Sequence, residues 1–160
     1  MSHIIFIALG TNLGDRPANL QAALGAFSPQ IRVLARSAVY ETEPWGFADQ
    51  PAFLNMVLRA ETELTPADLL ARLKELEAGL GRTPSFRNGP RLIDLDILFY
   101  DALILDTPSL LIPHPRLHER SFVLVPLADL APDLIHPVLG LSVAQLLERV
   151  DRRGVIWFTD

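Results

Sequence analysis

Between residues 3 and 100 the hydrophobic period of the chain alternates between the two-residue repeat of a strand and the longer repeat of a helix, and few folds accept that order. Residues 3–9, His-Ile-Ile-Phe-Ile-Ala-Leu, read as a buried strand ended by the turn-rich Gly10-Thr11-Asn12-Leu13-Gly14-Asp15. A helix is expected over about 16–27, with Leu20, Ala23, Leu24 and Phe27 on one face. Residues 31–40 read as one strand and 52–62 as another, with a long polar and aromatic loop at 41–51 between them. In the second strand Phe53, Asn55, Val57, Arg59 and Glu61 share one face, and Leu54, Met56, Leu58 and Ala60 the other. The clearest helix runs from 66 to about 80: Thr65 caps it, Pro66 suits its first position, and Leu69, Leu70, Leu73, Leu76 and Leu80 form its buried stripe. Gly79 and Gly81 help to stop it, and an apolar strand follows to about residue 100.

This β-α-β-β-α-β order predicts an α+β fold with a ferredoxin-like core: an antiparallel sheet, both helices on one face and the other face open to ligand. A C-terminal α/β extension should follow. In it, residues 102–105 are expected to pair with the fourth strand, 119–131 and 142–149 to be helical with Ser142 and Gln145 as a capping box, and 155–158 to form a last short strand.

At 160 residues the chain suits one domain spanning 1–160. A net charge of −5 argues against general nucleic-acid or membrane-surface binding and favours a small anionic ligand at any basic loop. The absence of cysteine excludes disulfides, thiolate metal sites and cysteine nucleophiles, and the four histidines lack the close pairing of a zinc site. No apolar run reaches the length of a bilayer span, and the first strand lacks the basic flank of a signal peptide, so a cytoplasmic protein is expected, a monomer by default.

Residues 87–98, Arg-Asn-Gly-Pro-Arg-Leu-Ile-Asp-Leu-Asp-Ile-Leu, place two carboxylates one residue apart at the mouth of the last core strand. Asp94 and Asp96 therefore project from one face, with Leu95, Ile97 and Phe99 expected on the other. Two hard oxygen donors on a rigid face suit Mg²⁺, and Arg82, Arg87 and Arg91 just upstream suit phosphate. An Asp-x-Asp pair on a solvated strand face is the bland alternative. Against it stands the apolar run around the pair, where like charges repel unless a cation compensates them.

Several further motifs accompany that stretch. They are Ala8-Leu9-Gly10-Thr11-Asn12-Leu13-Gly14-Asp15, Tyr40-Glu41-Thr42-Glu43-Pro44-Trp45-Gly46, Asp49-Gln50-Pro51-Ala52-Phe53-Leu54-Asn55, Pro113-His114-Pro115-Arg116, Glu119-Arg120-Ser121-Phe122 and Ala131-Pro132-Asp133. In this order they resemble the 6-hydroxymethyl-7,8-dihydropterin pyrophosphokinases of folate biosynthesis over nearly the whole chain. The resemblance implies transfer of pyrophosphate from ATP to a pterin alcohol with release of AMP. It implies two Mg²⁺ held by Asp94 and Asp96, with Arg82 and Arg91 gripping the phosphates. For the pterin it implies Thr42, Glu43, Trp45, Phe53, Asn55 and Phe122. For ATP it implies Glu77, His114 and Arg120, with Lys74, Arg87, Leu98 and Arg116 beside them.

Each position has an ordinary reading too: Phe53 and Phe122 as core, Glu77 as a solvated helix carboxylate, the arginines as surface ion pairs. This chain also departs from many relatives. Asn88 stands where they carry an aromatic lid residue, leaving Phe86 or Trp45 to close over the pterin. Pro84 stands where a basic residue can occur, Glu43 replaces an apolar position, and the loop is one residue shorter than in some relatives. The segments 10–15, 43–51 and 82–91 are expected to close over the substrates and exclude water. A nucleotide-binding module without turnover and a Mg²⁺-dependent phosphohydrolase remain the alternative readings.

Overall fold

The computed structural model describes residues 1–43, 50–81 and 92–160. In chain order the elements are β1 (His3–Thr11), α1 (Arg16–Ala26), β2 (Ile31–Arg36), β3 (Val39–Thr42), β4 (Phe53–Thr62), α2 (Pro66–Gly79) and β5 (Asp94–Tyr100). There follow β6 (Leu105–Asp106), β7 (Leu111–Ile112), a 3₁₀ turn (Leu117–Glu119), α3 (Ser121–Leu130), α4 (Val143–Leu147) and β8 (Val155–Thr159). The main sheet runs β5-β1-β4-β3-β8, with β2 also on β4, and its pairings are antiparallel. This is the expected ferredoxin-like arrangement, widened by β8 at the edge.

The helix starts follow from their caps. Asp15 accepts from the Ala18 amide, Thr65 from the Asp68 amide, and Ser142 and Gln145 complete the predicted capping box. Helices α1 and α2 bury Leu20, Ala23, Leu69, Leu73 and Leu76 against Ile5, Ile7, Leu9, Leu54, Met56, Leu58, Leu95 and Ile97. That face is the principal core, and it uses the sheet residues that period-two alternation assigns to it.

Four details differ from expectation. Residues 31–40 are two strands, because at Ser37 the side chain replaces the main chain: the Val57 amide donates to Ser37 Oγ while the Ser37 amide donates to the Val57 carbonyl. The register of β1 against β5 shifts between Phe6 and Ile7, so that Phe6 faces Phe99 and Ile7 faces Ile97. That bulge turns Phe99 away from Leu95 and Ile97 and into the opposite core beside Leu98. Residues 105–106 pair with β7 and not with the fourth core strand.

The second face is also only partly open. Helices α3 and α4 cover it with Val123, Leu124, Leu127, Val143 and Leu146 packed on Phe6, Val57, Leu98 and Phe99. The end holding Gly10, Asn55 and Asp94 lies beyond the sheet residues on which these two helices pack. Among the described residues, no helix is long and apolar enough to cross a membrane.

Candidate active site

Three neighbouring strands build the floor of this end. Gly10 of β1 has Asn55 of β4 as its partner on one side and Asp94 of β5 on the other, and Asn55 in turn faces Tyr40 of β3. One step along, Ala8 lies between Val57 and Asp96, and Thr42 faces Phe53. The predicted pair Asp94 and Asp96 therefore shares a sheet face with Asn55 and Phe53, and both carboxylates are half-buried.

Asn55 and Thr42 are buried and joined: Thr42 Oγ1 donates to Asn55 Oδ1 at 2.6 Å. This bond spends the amide's oxygen and directs Nδ2 over Gly10. A Cβ at Gly10 would stand 3.1 Å from Asn55 Nδ2 and 3.6 Å from the Phe53 ring, so glycine is the residue that lets both side chains lie across the strand. An upward-facing amide donor beside an aromatic ring suits a flat heterocycle with hydrogen-bonding edges.

Behind β5, Glu77 is neither solvated nor idle. It is buried on α2 and its Oε2 accepts the Leu95 amide at 2.8 Å, with Lys74 Nζ 3.6 Å from Oε1. The residue between the two aspartates is thus fixed from the helix side. Lys74 itself is exposed, and the Leu98 side chain belongs to the core under α3.

The far wall is positive. His114 is anchored by its own amide to the Leu98 carbonyl, and its Nδ1 accepts the Arg116 amide at 3.1 Å, which leaves the proton on Nε2. Burial pushes the His114 pKa below the ordinary histidine range; the negative charge of Asp96 opposes that shift, and Arg120 and Arg116 add to it. Arg120 is likewise pushed down by burial, held up chiefly by Asp96, lowered further by Arg116, and raised less by Glu119 and then Asp94. Its guanidinium carbon lies 5.5 Å from the Phe122 ring centre, and its buried Nε has no hydrogen-bond partner among the described residues. Arg116 reaches Glu119 at 3.4 Å at the rim.

The structure thus brings together Asp94, Asp96, Asn55, Thr42 and Phe53 on one floor, with His114, Arg120 and Phe122 bordering it. Glu43 lies at the exposed end of β3. Trp45, Arg82, Phe86, Arg87, Asn88 and Arg91 lie outside the described residues. Gly10 and Asn12 are positions at this end of the sheet that residue-by-residue reading did not single out. Asn12 is buried, and its Nδ2 donates to Gln50 Oε1 and to the Pro51 carbonyl, tying the end of β1 to the approach of β4. A buried asparagine in a glycine-flanked turn was the available signal. Among the described residues no group of three or more His, Cys, Asp or Glu gathers for a metal. The donor set is the Asp94 and Asp96 pair, which fits a hard divalent cation that completes its shell with water and phosphate oxygens.

An antiparallel sheet with helices, a carboxylate pair, a positive wall and a buried amide suits a divalent cation and phosphate beside a small planar ligand. The family model for 7,8-dihydro-6-hydroxymethylpterin-pyrophosphokinase (HPPK) matches residues 6–132, and the chain belongs to that family. It is 45% identical to the 2-amino-4-hydroxy-6-hydroxymethyldihydropteridine pyrophosphokinase of Methylorubrum extorquens, covering 94% of this chain and 95% of that protein. Against the enzyme of the same name from Pseudomonas aeruginosa the identity is 47%, over 94% of each. It is also 48% identical to the folic acid synthesis protein fol1 of Pneumocystis carinii, of which it spans only 20%. Among solved structures, an HPPK-DHPS in complex with substrates superposes over 92% of this chain and 43% of that one, with a TM-score of 0.76 at 15% identity, which speaks to the fold.

Proposed function

We propose that this chain transfers the pyrophosphoryl group of ATP to 6-hydroxymethyl-7,8-dihydropterin, yielding AMP and the pterin diphosphate in folate biosynthesis. The observation that carries the reading is the row Asn55-Gly10-Asp94 across three strands. It sets a planar-ligand donor and a metal-type carboxylate side by side on one rigid floor, as joining two substrates requires.

In this reading Asn55 Nδ2 donates to an edge of the pterin, its rotation fixed by Thr42, while Phe53 and Phe122 flank the ring. Trp45 and Glu43 complete the pocket from the 43–51 segment. Asp94 and Asp96 would hold Mg²⁺, two ions with ATP, which supplies charge neutralisation of the phosphates when bound. His114, neutral and carrying its proton on Nε2, donates to a phosphate or ribose oxygen without serving as a base. Arg120 offers its guanidinium to the nucleotide, and Arg116, Lys74 and the Leu98 main chain are the further nucleotide contacts of this reading. Glu77 acts by holding the Leu95 amide. Arg82, Arg87 and Arg91 grip the transferring group. The pterin hydroxyl oxygen bonds to the β-phosphorus as the bond to the α-bridging oxygen breaks; AMP departs and the hydroxyl proton passes to solvent. Such a transfer asks for alignment and charge stabilisation more than for a nucleophilic side chain. A single domain, a cytoplasmic setting and a monomer belong to the same proposal.

The test is incubation with Mg²⁺, ATP and the hydroxymethyl-dihydropterin. AMP that appears only with pterin supports the transfer. Phosphate released without pterin points to a hydrolase, no turnover to a binding module, and either result ends the proposal.

A further inference from the structure

Arg16 lies outside the floor described above, yet it holds Glu41 and Ala52, the neighbours of two of its residues. One terminal nitrogen of its guanidinium donates to the Ala52 carbonyl at 2.9 Å and lies 2.7 Å from Glu41 Oε2 as an ion pair. Ala52 directly precedes Phe53, and Glu41 directly precedes Thr42. Phe53 and Thr42 are themselves partners across β3 and β4. Arg16 therefore clamps the two stems of the 43–52 connection from behind, at the positions next to two side chains of the pterin pocket.

The clamp is well placed energetically. The Arg16 side chain is only 23% exposed, so its charge-assisted bonds are less screened than those of a surface pair. A third contact closes it on the C-terminal side: the guanidinium carbon lies 5.7 Å from the Phe158 ring centre, on β8. Residue 16 is the first of α1, so its main chain is fixed by a capped helix start. Asn12 also holds the Gln50 and Pro51 side.

We infer that Arg16 is a positioning residue for the pterin: it fixes the spacing between Thr42 and Phe53 and thereby the fit of the ring, without touching either substrate. The inference rests on the proposed reaction. Because it acts behind the pterin wall and away from Asp94, Asp96 and His114, its loss should appear in pterin binding and not in nucleotide binding or chemistry.

The experiment compares pterin-dependent AMP release by wild type, Arg16→Met, Arg16→Lys and Glu41→Gln, varying each substrate separately. Arg16→Met should raise KM for the pterin roughly tenfold, the order of one lost charge-assisted hydrogen bond, with KM for ATP and kcat within about twofold. Arg16→Lys, which keeps a donor to both oxygens, should recover most of the loss, and Glu41→Gln should fall between. A wild-type KM for pterin in Arg16→Met overturns the inference. So does a parallel loss in kcat and both KM values together with a lowered melting temperature, since that marks a purely structural brace. Failure of the wild type to release AMP with pterin refutes the functional reading itself and this inference with it.

Discussion

Replacing Gly10 by alanine separates the binding site from the fold more sharply than any change to a polar residue. The new methyl would stand 3.1 Å from Asn55 Nδ2 and 3.6 Å from Phe53 Cδ1, while ordinary contacts begin near 3.4 Å. The amide must therefore move by a few tenths of an ångström, against the 2.6 Å bond that Thr42 makes to its oxygen. Displacing one neutral hydrogen-bonding group from its ligand costs about 0.5–1.5 kcal/mol, so the dissociation constant for the pterin should rise roughly threefold to tenfold. The fold should not suffer in proportion. Gly10 does not occupy the left-handed region, and a strand interior gains about 0.5–1 kcal/mol when glycine becomes alanine, which offsets the crowding. Calorimetric titration of the pterin in the presence of a non-hydrolysable ATP analogue and Mg²⁺ reads the first quantity, and a thermal melt reads the second. Gly25→Ala is the control: its Cβ meets nothing within 4 Å, it lies inside α1, and it should raise the melting temperature without altering binding. A Gly10→Ala protein that binds pterin as tightly as wild type would refute the argument that this floor is the pterin site.

Asp96→Ala should abolish pterin-dependent AMP release while leaving the far-ultraviolet circular dichroism and melting temperature near wild type, because only a half-buried carboxylate is removed; turnover at wild-type rate would remove it from the metal assignment. Glu77→Leu leaves the Leu95 amide without its acceptor and should lower stability by about 1–3 kcal/mol in urea denaturation, whereas Glu77→Gln, which retains an acceptor, should lose much less. For Tyr40, burial first and the hydrogen bond to Asp129 second push the phenol up to about 12 from 10.0. Since the folded pKa is the higher one, the stability it contributes is intact below pH 10 and is lost as pH rises through about 12. Urea midpoints across that window should fall more steeply for wild type than for Tyr40→Phe, and the comparison removes the contribution of Tyr100, which is also raised.

The element order was legible because the side chains that fill the main core repeat with the period of the element that carries them: Leu69, Leu73 and Leu76 along α2, and Leu54, Met56 and Leu58 along β4. The bulge at Leu98 was not, since in Ile97-Leu98-Phe99-Tyr100 every residue is apolar or aromatic and either register buries it. The break at Ser37 depends on a hydroxyl taking the place of a carbonyl opposite Val57, a partner twenty residues away in sequence. The cover of α3 and α4 was missed for a related reason. Their helices were expected, but an apolar helix does not say which sheet face it will occupy. At the site, Asp94 and Asp96 were legible because they precede the bulge, where simple alternation holds. The burial of Glu77 was not, because an acidic residue at the edge of an apolar stripe reads as solvated until the strand that offers it an amide is in place.

The placement of the site on this sheet has a physical logic that runs through three strands at once. Along the face beneath α3, β1 presents Phe6, then Ala8, then Gly10; β4 presents Val57 and then Asn55; β5 presents Leu98 and then Asp96 and Asp94. The change from core to site falls between Val57 and Asn55 on β4 and one pair earlier on β5, where Asp96 already lies beside Ala8. The cross-strand neighbours of the two carboxylates on β1 are the smallest residues available, Ala8 for Asp96 and Gly10 for Asp94, so depth is created where charge must be reached by a ligand. A leucine at position 8 would continue the apolar cluster into that depth and crowd Asp96, which is why the narrowing from Phe6 to Gly10 matters as much to the proposed chemistry as the acidic pair itself.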